Sequence, residues 1–221
     1  MKQGKELWDK LARENARHFV CSDYGKGKMT EKKFRDSGVK DYIRLIWSDK
    51  LFYNKFNMGK VFHNSSEKLK TEVILDLGCG TGRITEFMAD DFKKVIGIDI
   101  SGEMIKRAKK RLEKCRNIEF IETDGETIPL KNNSIDIVFS YLVFQHTKTK
   151  KRVEKNFKEV YRVLKPEGLF KVRLRTNKEP DMTAWWAGVH YSKAEAVKMS
   201  EDIGFKVLKT EPVKDYGLWL W

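Results

Sequence analysis

Apolar side chains follow two alternating rhythms along this chain. Apolar runs at Val73–Leu75 and Val95–Ile98 have the continuity of strands buried on both faces of a parallel sheet, and Ile118–Ile121, Ile135–Ser140 and Leu169–Leu174 predict three more strands. Between them, apolar residues recur at helical spacing. Phe87 and Met88 turn a helix over 83–89 towards the sheet, and Met104, Ile105, Ala108 and Leu112 line one over 102–115. Val153, Phe157, Val160, Tyr161 and Leu164 line a third. Ser101 and Ser192 are placed to cap helices, the second ending at Ile203 before Gly204. Lys165-Pro166-Glu167-Gly168 predicts a turn, with glycine taking an unusual backbone angle. Phe205–Leu208 and Tyr216–Trp221 predict two closing strands joined by a turn over 212–215. Strands alternating with helices predict an α/β domain.

The first 70 residues read differently. Leu7, Trp8, Leu11, Ala12, Ala16 and Phe19 form a helical stripe over 3–19, which Ser22–Lys28 interrupts. Val39, Tyr42, Ile43, Ile46 and Trp47 form a second patch running to Phe52, and His63–Glu67 is polar. The expected division is a helical cap over residues 1–70, packed on a core formed by 71–221. Trp8, Tyr24, Trp47 and Tyr53 would wall a pocket or fill the core.

The stretch joining the first two strands carries the chemistry. Val-Ile-Leu-Asp-Leu leads into Gly78-Cys79-Gly80-Thr81-Gly82, and the second strand ends in Asp99, 21 positions after Gly78. Closely spaced glycines let the backbone turn sharply and let a ligand approach it. An acid at the end of the next strand sits beside such a loop and can accept hydrogen bonds from a ribose diol. The dinucleotide fingerprint would require glycine at position 83, which is Arg83; here the third glycine comes one residue early.

That spacing resembles motif I of the class I methyltransferases, which use S-adenosyl-L-methionine (SAM) and release S-adenosyl-L-homocysteine (SAH). The Leu164-Lys165-Pro166-Glu167-Gly168 junction resembles another hallmark of these enzymes, and the likeness covers roughly residues 70–221. It implies a Rossmann-like, doubly wound, seven-stranded and mostly parallel sheet with an antiparallel last strand. It also implies that Asp76, Gly78, Cys79, Gly80, Gly82, Asp99, Ile100 and Met104 surround the cofactor. Asp124, with Gly125, matches the acid that approaches the adenine amino group. Tyr141–His146, after Ser140, matches the segment beside the methionine part, where Gln145 would contact the cofactor. The leading Leu-Trp-Asp-Lys-Leu-Ala-Arg resembles a branch acting on sugars and natural products.

Charge adds a second substrate class. The formal net charge is +13 over 221 residues, shared between residues 1–72 and the remainder. The densest cluster, Lys148–Arg152, is either a solvated helix face or a footprint for RNA. Ser140-Tyr141-Leu142-Val143 departs from the Asn-Pro-Pro-Tyr type of sequence that accompanies methylation of a base amine. The three cysteines show no paired-ligand spacing, so neither disulfides nor a metal site are expected, and Cys79 reads as a small side chain fitted into the loop. The opening residues lack the apolar core of a secretory signal and no run approaches the ~20 apolar residues of a membrane span, which predicts a cytoplasmic protein.

The expected reaction is methyl transfer to the hydroxyl of a small molecule, a sugar or a secondary metabolite. RNA methylation is the alternative within the enzyme class, and a non-catalytic binding protein on the same fold the alternative outside it. A hydroxyl acceptor needs a base. His146, just beyond the fourth strand, either takes that proton or hydrogen-bonds backbone and shapes the pocket; His190, near Trp185 and Trp186, is the second candidate.

Overall fold

The computed structural model describes residues 2–21, 29–55, 69–177, 183–213 and 217–221. Tyr24, the break at 22–28, the polar stretch 63–67 and the side chain of Tyr53 lie outside the described residues, as do residues 214–216 at the expected turn. Seven strands make a mostly parallel α/β sheet, and the chain divides into two compact units, Met1–Glu122 and Thr123–Trp221.

In the first unit, β1 (Leu69–Leu77) pairs in parallel with β2 (Phe92–Asp99), which pairs in parallel with β3 (Ile118–Glu122). Two helices cross between them, α4 (Thr85–Asp91) and α5 (Gly102–Arg111). Both strands of the glycine unit are longer than their apolar runs: Leu69 pairs with Phe92, and after a register irregularity the ladder resumes at Val73 opposite Lys94. Three further helices precede β1: α1 (Lys2–Val20), α2 (Glu31–Tyr42) and α3 (Lys50–Lys55). Thr30 caps α2 by accepting from the Lys33 amide, and a π-turn over Ile43–Trp47 separates α2 from α3. The π-turn changes the helical phase, so Ile43 stands 47% exposed whereas Tyr42, Leu45 and Ile46 are buried. Helix α1 also departs from a single regular stripe: Asn15 has non-helical angles, and its side chain accepts from the His18 amide, starting the helix again.

In the second unit, β4 (Ile135–Ser140) pairs in parallel with β5 (Leu164–Arg175). β7 (Gly217–Leu220) lies antiparallel to both β5 and β6 (Thr210–Val213), the antiparallel finish expected of this fold. Helix α6 (Lys150–Val163) buries Val153, Phe157, Val160 and Val163, and Phe157 meets Phe170 edge to face at 5.0 Å. Helix α7 (Lys193–Ile203) opens with a capping box between Ser192 and Glu195 and ends at left-handed Gly204, as its sequence predicts.

Two expectations are corrected here. Residues 165–168 do not break the chain; they belong to β5, with a register irregularity opposite Ile135 and Ile137. Gly168 is not left-handed there. It is needed for space, because a Cβ would lie 2.7 Å from the Leu164 side chain and 2.9 Å from the Lys165 carbonyl. The sixth strand begins at Thr210 and not at Phe205: Phe205 packs edge to face on Tyr161 and Phe157, and Leu208 is exposed. Those apolar residues serve the α6 side and an exposed edge, so their run is not a strand.

Candidate functional site

The loop between β1 and α4 is built by three left-handed glycines, Gly78 (φ 80°), Gly80 (φ 55°) and Gly82 (φ 78°). Side chains rarely adopt this region, so the geometry demands glycine. Space demands it too: a Cβ on Gly82 would lie 2.8 Å from Leu112, and one on Gly80 3.0 Å from Val20. The amides of Gly78 and Cys79 both donate to the Ile98 carbonyl, fastening the loop to the end of β2.

Two carboxylates flank this loop. Asp99 accepts from the Gly80 amide at 2.9 Å through one oxygen and from the Ser101 amide at 2.9 Å through the other. Each oxygen keeps a lone pair for a second donor. Burial raises the Asp99 pKa above the usual carboxylate range, and those amides oppose the shift. Asp76 is buried at the end of β1 and accepts from the Thr85 hydroxyl at 2.6 Å. Burial pushes its pKa up to about 6. Cys79 is also buried, and burial with two neighbouring acids holds its thiol well above its usual pKa, so it is unsuited to act as a nucleophile. Ile100 is half-buried at the bend before α5, and Met104 is buried under Ala12 and Ala16 of α1. The first unit thus brings together all the cofactor residues expected before Glu122.

This donor set fits the expected cofactor. SAM carries positive charge and a diol, and the loop offers two acids and close backbone in a chain that is otherwise strongly basic. An ammonium group, if held beside Asp76, would favour the ionised carboxylate. Because the Asp76 pKa is raised, SAH affinity is expected to weaken as pH falls through about 6, and Asp76→Asn to flatten that dependence; calorimetry across pH 5 to 8 checks it.

In the second unit, Asp124 uses its carboxylate locally, accepting from the Glu126 and Thr127 amides at 2.8 and 2.7 Å. These bonds lower its pKa and shape a turn in which Gly125 is left-handed. Ser140 is buried at the end of β4. Beyond it Leu142 is left-handed (φ 60°), a strained conformation for a branched side chain and one that no residue type had signalled. The next turn carries Gln145 and His146, with Gln145 Nε2 and His146 Nε2 3.1 Å apart. His146 stacks on Trp185, ring centroids 5.7 Å apart, and the Val189 amide donates to the Thr147 carbonyl. Burial, and then the Arg175 charge, push the His146 pKa down to about 4. His190 is half-buried, between Val189 and Tyr191, whose amide donates to the Arg175 carbonyl. The structure therefore groups His146 with Gln145 and the tryptophan insert.

Among the described residues no group of three or more His, Cys, Asp or Glu could hold a metal, and no helix is long and apolar enough to cross a membrane.

Residues 75–172 match a family described as a methyltransferase domain. A putative methyltransferase of Bacillus subtilis is 39% identical over 97 residues, 43% of this chain and 39% of its own. The malonyl-[acyl-carrier protein] O-methyltransferase of a Marinomonas species is 33% identical over 54% of this chain and 44% of its own. The chain spans about half or less of the length of these relatives. A SAM-dependent methyltransferase from Aquifex aeolicus shares the fold, with a TM-score of 0.57 at 23% identity over 87% of this chain and 97% of that one. The stretch that resembles a methyltransferase domain contains the three-glycine loop, Asp99 and the β4 mouth.

Proposed function

We propose that the protein transfers a methyl group from SAM to the hydroxyl of a small molecule, a sugar or secondary metabolite, in the cytoplasm, with residues 1–70 as a cap on the catalytic core. The observation that carries this reading is the His146–Trp185 stack beside Gln145, just past the end of β4. Ligands of open α/β sheets bind outside the carboxyl ends of the strands, and an aromatic platform with few polar groups suits a small organic acceptor.

Bound SAM supplies a methyl group on a sulfonium, already an activated leaving group. The protein's share is alignment of the acceptor and removal of its proton. His146 is held neutral by burial, and neutral imidazole has a lone pair to accept a proton. Its place on Trp185 fixes the ring plane. His146→Ala is expected to lower turnover about 100-fold, within the range of general-base catalysis, and to leave SAH affinity nearly unchanged. Because its pKa is depressed, the base form persists above pH 4, so the wild-type rate should show no titration near 6.5. Unchanged turnover of the alanine variant would remove His146 from this role.

The basic cluster supports a small acceptor over RNA. Lys150 pairs with Glu195, Lys148 donates to the Ala184 carbonyl, and Arg152 donates to the Asp124 and Gly125 carbonyls. These charges are engaged in holding the second unit together. Incubating the protein with labelled SAM and a metabolite extract tests the reading: a labelled small molecule supports it, whereas label only in RNA, or in nothing, overturns it. Binding to RNA would also fall steeply with salt.

A further inference from the structure

The helix that precedes the methyltransferase domain by some fifty residues reaches the cofactor residues. Asp9 of α1 accepts the Ser101 hydroxyl at 2.6 Å and the Glu103 amide at 3.1 Å through the same oxygen. Ser101 is fully buried, and its hydroxyl also accepts from the Met104 amide, capping α5. Its own amide donates to Asp99. A continuous chain therefore runs from Asp9 through Ser101 to the Asp99 carboxylate and on to the Gly80 amide.

The same side of α1 continues along the site. Ala12 and Ala16 pack on Met104, and Val20 reaches the space above Gly80. Capping alone does not require Asp9, because Ser101 already serves as the N-cap of α5. What Asp9 adds is a fixed hydroxyl rotamer, and with it a fixed Ser101 backbone, on which one oxygen of Asp99 depends. Without Asp9 the fully buried hydroxyl loses this acceptor, and a buried donor left unsatisfied is costly enough to shift its surroundings.

We propose that α1 is a wall of the cofactor site and that Asp9 is a positioning residue, acting through Ser101 to aim Asp99 at the ribose hydroxyls. The proposal rests on the cofactor reading above. Calorimetry with SAH on the full chain tests it, using Asp9→Ala, Asp9→Asn, Asp99→Asn and the double variant Asp9→Ala/Asp99→Asn. Asp9→Ala should weaken SAH about tenfold, and Asp9→Asn, which keeps the accepting oxygen, should restore most of the loss. In the Asp99→Asn background the Asp9→Ala change should add less than about twofold, since the charged acceptor that Asp9 aims is already lost. Effects that multiply would show a general structural role and overturn the proposal, as would an Asp9→Ala variant that binds like wild type. Wild-type protein that fails to bind SAH would overturn the cofactor reading itself, so the two failures are distinguishable.

Discussion

Asp99→Ala is expected to lower SAH affinity about 100-fold, the largest single loss at the cofactor site. The substitution removes two acceptors for a vicinal diol, and hydrogen bonds to a charged group contribute about 1.5–3 kcal/mol each, with about 1.4 kcal/mol per tenfold of affinity. It also releases the amides of Gly80 and Ser101, which Asp99 holds at 2.9 Å each. The glycine loop then keeps the bonds of Gly78 and Cys79 to the Ile98 carbonyl but loses the tie at Gly80, against which Val20 lies. Asp99→Asn keeps one accepting oxygen and should lose less. Calorimetry with SAH separates the two, and an alanine variant that binds as wild type would place the nucleoside elsewhere.

The parts of this site that lie on one stretch of chain are legible in its residues. The three glycines state their own backbone geometry, because only glycine enters the left-handed region freely, and Asp99 follows at a distance set by one helix and one strand. β4 spans Ile135–Ser140 as its apolar run indicates. Legibility ends where a residue's role is set by something distant in sequence. Asp9 reads as an ordinary polar position on α1, since its partner lies 92 residues away. The left-handed Leu142 is invisible because strain is imposed by the surroundings and not by the residue. His146 follows the fourth strand in the sequence, but its depressed pKa comes from burial and Arg175, which only the fold supplies. Gly168 in the sequence predicts a turn with an unusual backbone angle, yet its φ is not left-handed and close packing requires it.

Arg83 shows the same limit with a larger energetic consequence. In the sequence it marks only a departure from the dinucleotide fingerprint. In the structure its guanidinium is almost fully buried and pairs with Asp41 of α2 at 2.7 Å, with the Ser37 hydroxyl at 3.3 Å. Asp41 also accepts from Arg44, which is half exposed. The partners are therefore unequal: removing Arg83 leaves Asp41 with a second cation, whereas removing Asp41 leaves Arg83 charged and buried with, among the described residues, the Ser37 hydroxyl and the more distant charge of Asp76. Breaking a buried pair costs about 3–5 kcal/mol when a charge is left uncompensated. Asp41→Ala should approach that range, and Arg83→Met should cost about 2 kcal/mol, since its apolar stem still fills the site. Adding Arg83→Met to Asp41→Ala should recover part of the loss, because the stranded charge is then gone. Denaturant titration of the four proteins measures this order. Equal costs for the two single variants, or a double variant worse than both, would show that Arg83 does not depend on Asp41. Since Arg83 directly follows Gly82, the Asp41 variant should also bind SAH more weakly than the Arg83 variant when both are folded.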